Sequence, residues 1–401
     1  MQEKQGFTRK INFLVRGLKG ELAMPMGLYI HVPFCMKKCH YCDFVSFVWE
    51  PAGIALYLQC LEKELALYGA LLSAEEKKIT TLYVGGGTPS CLSVTQLEEL
   101  LAHVHRYFDL SQCQECSVEA NPGTLTEEKL LRLRQGGFNR LSLGVQACQD
   151  EQLQVLGRIH CFQEALEAVD MAQRAGFTDI NADFIFGIPG QTLSQWEACL
   201  DTIIRWHLPH VSVYGLQVEA GTPLAQRVAA GDVLICDEDL EADMFAAAID
   251  TLTQHGYEQY EISNYALPGR ECRHNIGYWR HYPYLGLGPA AHSYLQGKRF
   301  FNPPTLEAYQ NNMNQGHVAL EEGILLPQEE SMSEEIFLGL RLLSGVDVSG
   351  FQERYGERVE DVYKEQIQQL VGQGLLQIGP GMMRLTRRGV ELGNRVFSAF
   401  I

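Results

Sequence analysis

The sequence predicts an α/β fold: a partial (β/α)6 TIM-like barrel followed by a smaller C-terminal α+β, winged-helix-like unit. Three observations predict it. Short β-branched runs recur six times before residue 220, with helical returns between them. Most of these runs end on glycine, cysteine or an isolated polar residue, as strands do when their carboxyl ends face a ligand. Past Pro304 the alternation stops and helices with one hairpin take over. Eight β/α units close a complete barrel, so six predict an open one.

In order, the first strand is Gly27 to Val32, stopped by Pro33, and the loop beyond it carries Cys35, Cys39 and Cys42. Helix formers with leucines at helical spacing fill 55–73, and Ile79 to Val84 returns extended before Gly85-Gly86-Gly87-Thr88-Pro89. The later strands end at Glu119-Ala120-Asn121-Pro122, Gly144-Val145-Gln146, Asp183 to Gly187 and Tyr214 to Gln217. Helices are expected over 126–135, 161–175 and 193–206. Beyond the barrel, 334–343 and 358–370 read as helices. Strands 375–378 and 383–386 flank the Gly379-Pro380-Gly381 turn, and a last helix runs over 387–400. The organisation expected is thus an extension (1–26), a barrel (27–300) and an accessory unit (301–401).

The extension places Ile11, Leu14, Val15, Leu18 and Leu22 at helical spacing beside Arg9, Lys10, Arg16 and Lys19, the pattern of a basic amphipathic helix. Such a helix docks on a membrane surface or partner, or packs on the barrel. Alternatively, translation starts at Met24 or Met26. No secretory signal pattern is present, and no run reaches the roughly 20 apolar residues that span a bilayer.

Composition narrows the function classes. With 46% hydrophobic residues the chain is an ordinary globular one, and a net charge of −17 argues against a broad nucleic-acid-binding surface. Twelve cysteines in 401 residues do not form the dense framework of a secreted domain, so a reducing cytoplasm is expected. Cys60, Cys91, Cys148, Cys161, Cys199 and Cys236 read as small buried hydrophobes, and the Cys113/Cys116 pair as incidental.

Three thiolates in one loop can hold three irons of a cubane cluster and leave the fourth open, since complete thiolate ligation takes four cysteines. The alternative is zinc, with His31 or His40 as fourth ligand. The glycine run after the second strand lets a ligand approach bare backbone. Glu119 offers a carboxylate to an ammonium or a ribose hydroxyl. Residues 270–284 hold four aromatics, two imidazoles and three guanidiniums, which suit a flat iron macrocycle as well as they suit a packing strip.

The cysteine spacing, with Tyr41 before the last thiol, resembles the radical S-adenosylmethionine (SAM) superfamily. Leu28 to Phe34 and Tyr41-Cys42-Asp43-Phe44 resemble its oxygen-independent coproporphyrinogen oxidase (HemN) group, and more closely the related HemW heme chaperone family. The likeness is strong over 27–300. It implies a [4Fe-4S] cluster on Cys35, Cys39 and Cys42, with SAM held on it by Tyr29, Gly86 and Glu119. Tyr41, Gly87, Thr88, Gln146, Arg158 and Asp183 would line the adjoining pocket, where the oxidase holds a second SAM.

His274-Asn275-Ile276-Gly277-Tyr278-Trp279 matches the heme-associated His-Asn-x-x-Tyr-Trp motif of the HemW family. The match implies heme binding by His274, Asn275, Tyr278 and Trp279, with His274 the leading axial candidate and His292 the second. Partners implied are heme and a heme-accepting apoprotein such as a respiratory cytochrome. Peripheral membrane contact and a homodimer stay open. The other reading is the oxidase, which decarboxylates coproporphyrinogen III by radical chemistry in porphyrin biosynthesis. Against it, the oxidase's fourth cysteine position is Phe44 and only 28 residues precede Tyr29. One departure from the HemW pattern is His40, where proline is expected.

Overall fold

The computed structural model describes residues 26–401, so the amphipathic helix expected ahead of Met26 lies outside the described residues. Six parallel strands form in chain order: β1 (Met26–Val32), β2 (Ile79–Gly86), β3 (Glu115–Ala120), β4 (Arg140–Gln146), β5 (Asp179–Phe186) and β6 (His210–Gly215). Each is hydrogen-bonded to the next. Their alternation explains why they pair. In β1, Leu28, Ile30 and Val32 are fully buried against the helices while Tyr29 and His31 point to the opposite face. Each such apolar side chain contributes about 1.5–3 kcal/mol of burial.

The helices that cover the outer face are α1 (Pro51–Leu71), α2 (Val94–Tyr107), α3 (Glu127–Gln135), α4 (Phe162–Arg174) and α5 (Leu193–Trp206). Their starts are written locally. Pro51 supplies a preset φ at the first turn of α1, Ser93 and Gln96 form a capping box on α2, and Thr192 and Gln195 do so on α5.

The sheet does not close. Beyond β6 lies the antiparallel β7 (Asn264–Ala266). On the free edge of β1 sits a seventh parallel strand, β8 (Tyr284–Leu287), extended by antiparallel β9 (His292–Leu295) and β10 (Lys298–Phe301). Sequence reading missed this second edge, because four-residue strands, one containing Gly286 and followed by Gly288 and Pro289, carry too few alternations to register.

The accessory unit has its own core, built on Ile336, Leu340, Phe351, Ile367, Met383 and Val396, and Phe245 packs against both cores. Its first helix, α6 (Gln328–Gly339), starts six residues before the position expected. The expected helix over 358–370 breaks at Tyr363, and the last helix breaks before Gly393, a poor helix former. The hairpin pairs Leu376–Gly379 with Met382–Leu385. Cys148 and Cys199 correct the expectation of isolated buried thiols: they are joined in a disulfide between the loop after β4 and α5.

Candidate functional site

The cysteine loop is fastened at both ends to the sheet. Phe47 N–H donates to Pro33 O at 2.7 Å and Trp49 N–H to Cys35 O at 2.8 Å. From the neighbouring strand end, Gly87 N–H donates to Val32 O at 2.9 Å and Thr88 N–H to Phe34 O at 2.7 Å. Glycine is required at 87, since a Cβ there would lie 2.7 Å from Phe34 O. The loop is therefore held by backbone on backbone.

Cys35, Cys39 and Cys42 are free, half-buried thiols lining one cavity of about 150 Å³. The same cavity gathers Tyr41, Gly86, Gly87, Thr88, Glu119, Gln146, Arg158 and Asp183. Thr88 Oγ1 donates to Cys35 Sγ at 3.5 Å and Arg158 Nη1 to Cys39 Sγ at 3.3 Å. Asn121, which sequence reading missed, ties these two together: its amide donates to Thr88 Oγ1 at 2.9 Å, and its carbonyl accepts from Arg158. Its signal was its place directly after a strand end, in Glu119-Ala120-Asn121.

The donor set fits an iron–sulfur cluster. Burial raises the Cys42 thiol, and the neighbouring Cys39 and Cys35 sulfurs raise it further, so three thiolates need a cationic core between them. Neither histidine of the zinc alternative lines the thiol cavity. His31 Nε2 donates to Val45 O at 2.8 Å, which leaves Nδ1 to accept from Tyr29 OH at 3.0 Å. His40 donates through Nδ1 to Val155 O at 3.1 Å, and a Cβ on Gly157 would lie 2.7 Å from its ring. The backbone N–H of His40 also donates to Leu156 O at 2.9 Å, a bond that proline cannot make.

Deeper in the barrel the cavity opens into a second, of about 370 Å³, sharing Tyr41, Phe44, Glu119, Gln146 and Asp183. Glu119 accepts from Tyr83 OH and from Gly86 N–H, both at 2.9 Å. Desolvation outweighs these donors and pushes its carboxyl up to about 7. Gln146 takes φ 75°, an uncommon value off glycine, at a register slip between β4 and β5. Parallel register sets Glu119 beside Ser142, then Asn181, then His210. Asn181 links them: it donates to Ser142 Oγ and Asp183 Oδ1, both at 2.8 Å, and accepts from His210 Nδ1 at 2.6 Å. Burial raises the Asp183 carboxyl and lowers His210.

The His-Asn-x-x-Tyr-Trp stretch forms a short helix, Arg273–Trp279, beneath the amino ends of β1 and β2. Glu115 starts it, accepting from Arg273 N–H at 2.8 Å and His274 N–H at 3.1 Å. His274 is buried, stacked on Tyr83 at 5.2 Å, and both ring nitrogens are engaged: Thr81 Oγ1 at 2.9 Å and Tyr278 OH at 2.8 Å. Burial pushes its pKa down to about 3. The motif is thus divided. Asn275 faces the barrel interior, while Tyr278 and Trp279 meet His292 in a separate cavity of about 430 Å³ together with Tyr29, His31 and Arg299. Tyr29 stands on that side rather than in the thiol cavity.

The fold and thiol loop define the class. The radical SAM superfamily model matches residues 29–203 and the HemN C-terminal domain model residues 326–392. A solved coproporphyrinogen III oxidase (HemN) from Escherichia coli superposes with a TM-score of 0.83 at 24% identity, covering 98% of this chain and 93% of that one. At that identity the likeness shows the fold. Heme chaperone HemW of Lactococcus lactis is 38% identical over 380 residues, covering 95% of this chain and 98% of its own length. That of Bacillus subtilis is 36% identical over 374 residues, covering 93% and 98%, and that of Escherichia coli 33% over 384, covering 94% and 98%. The chain belongs to the HemW family.

Proposed function

We propose that this chain is a heme chaperone that binds a [4Fe-4S] cluster, SAM and heme, and delivers heme to an apoprotein such as a respiratory cytochrome, in the cytoplasm. Cys35, Cys39 and Cys42 would hold the cluster, and Gly86 with Glu119 the ammonium end of SAM. When bound, these groups supply one-electron reductive chemistry. The chain's own residues set the frame for it: Arg158 and Thr88 orient two sulfurs, and Asn121 fixes both.

The observation that carries the heme part is the meeting of Tyr278, Trp279 and His292 in one cavity whose wall, Tyr29 and His31, leads to Val45 of the thiol loop. Heme and cluster would then be bound on two sides of one strand. The oxidase reading is weaker because Phe44, 62% exposed at the mouth, stands where that group keeps its fourth cysteine. Among the described residues no helix is long and apolar enough to cross a membrane.

The test is anaerobic reconstitution followed by heme titration and coproporphyrinogen turnover on one sample. Heme binding without decarboxylation is expected. Decarboxylation at an enzymatic rate would overturn the chaperone reading, and reconstitution with zinc and no sulfide would overturn both.

A further inference from the structure

A macrocycle's iron needs an imidazole lone pair, and the two candidate histidines differ in whether they have one to give. Both nitrogens of His274 are committed to hydroxyls in a buried layer between Thr81, Tyr83 and Tyr278. Freeing one leaves a buried hydroxyl partner without its hydrogen bond. His292 is the opposite case. It is exposed on β9, stacked at 5.2 Å on Phe301, and among the described residues its ring nitrogens make no hydrogen bond.

We propose that His292, at the start of β9 beside the added strand β8, is the iron ligand for heme, and that His274 is a positioning residue that holds Tyr278 in the cavity wall. This rests on the heme reading above.

Three further features of the edge cavity fit that assignment. Its volume, about 430 Å³, lies within the range of ligand pockets, about 300–1,000 Å³. Its walls are flat and aromatic: Tyr278 and Tyr284 meet edge to face at 4.5 Å, and Trp279 stands beside them with Arg341 4.4 Å from its ring centroid. Its polar edge is fixed, since Arg299 is paired with Glu334 and donates through Nη1 to Tyr284 OH at 2.8 Å, which holds the Tyr284 ring in the wall.

The position also suits a cargo. A ligand on the exposed His292 leaves without opening the barrel, whereas His274 is buried with both ring nitrogens bonded.

The test is hemin titration of the full-length, anaerobically reconstituted protein, read by the Soret band and ferric electron paramagnetic resonance. His292→Ala is expected to weaken hemin at least tenfold and to change the ferric ligand-field signature. Leu338→Trp, which fills the cavity from α6 without touching either histidine, is expected to weaken it comparably. His274→Gln, whose amide can still bond Thr81 and Tyr278, is expected to keep the Soret position and affinity within about threefold.

Unchanged binding in His292→Ala, or loss of hemin by a His274→Gln protein with native far-ultraviolet circular dichroism, overturns the assignment. If His274→Gln fails to fold, the other two variants decide it. A wild-type protein that binds no hemin refutes the heme chaperone reading itself, whereas a wild type that binds hemin beside unaffected variants refutes only the ligand.

Discussion

At the scale of residues, the barrel mouth is governed by groups whose burial opposes their charge. Glu119 is the clearest. Its carboxyl is raised to about 7 because desolvation outweighs the donors Tyr83 and Gly86, so in the free protein it is protonated on the acid side of that value. An ammonium favours the carboxylate. SAM affinity should therefore rise as pH increases through about 7, with uptake of ligand releasing a proton. Calorimetry in buffers of different ionisation enthalpy checks this, and a flat pH profile would remove Glu119 from the ammonium site. Glu119→Gln should weaken SAM about 10–100-fold, the worth of one charged hydrogen bond, and abolish the pH dependence. His31 acts on the thiol loop instead, through Val45 O. His31→Phe should lower iron and sulfide content after reconstitution while leaving all three cysteines in place.

At the scale of elements, the loop and strand ends are matched by close backbone approach. Gly86 has φ 108° and lies under the His31 ring, and Gly87 faces Phe34 O and Val32 O. A methyl at 87 must push one strand end from the other. Gly87→Ala should cost about 1–3 kcal/mol in urea denaturation and reduce cluster loading, whereas Gly372→Ala, with open space around it, should leave loading unchanged. Equal loading in both variants would show that the approach does not matter to the thiols. The β/α alternation and the glycine run were legible in sequence because period and punctuation are local. The edge strands β8 to β10 were not, since they are stabilised by pairing with β1 and with each other rather than by their own pattern.

At the scale of the whole molecule, buried titrations of opposite sign set the pH range of stability. Glu64 and Glu119 are both raised to about 7 by burial, so the folded chain holds protons that the unfolded chain releases above about 4.5. That contribution is lost as pH rises from about 4.5 to 7. His274 and His160 are held down at about 3 and about 4, and the unfolded chain takes up protons there below about 6.5. Their contribution is lost as pH falls from about 6.5 to 3. The two slopes oppose each other between about 4.5 and 6.5 and act alone outside it. The unfolding free energy of the cluster-free protein in urea should be highest near pH 5–6 and fall on both sides, by on the order of 1 kcal/mol between pH 6 and 8. A free energy that climbs steadily to pH 8 would contradict the protonated state of both carboxylates.

The sequence by itself determined the six-unit open barrel, the hairpin-bearing second unit, the thiol loop and the row of polar residues at strand ends. Each of these is encoded in spacing along the chain. Only the tertiary structure decided which polar residues share a cavity. It joined Asn121 to Thr88 and Arg158, paired Cys148 with Cys199, and took both nitrogens of His274 for Thr81 and Tyr278. It also placed Tyr278 and Trp279 with His292 across a strand edge that sequence spacing does not reveal. The physical reason is that spacing fixes a side chain's face on its own element, while a lone pair's availability depends on what distant segments bring within hydrogen-bonding reach.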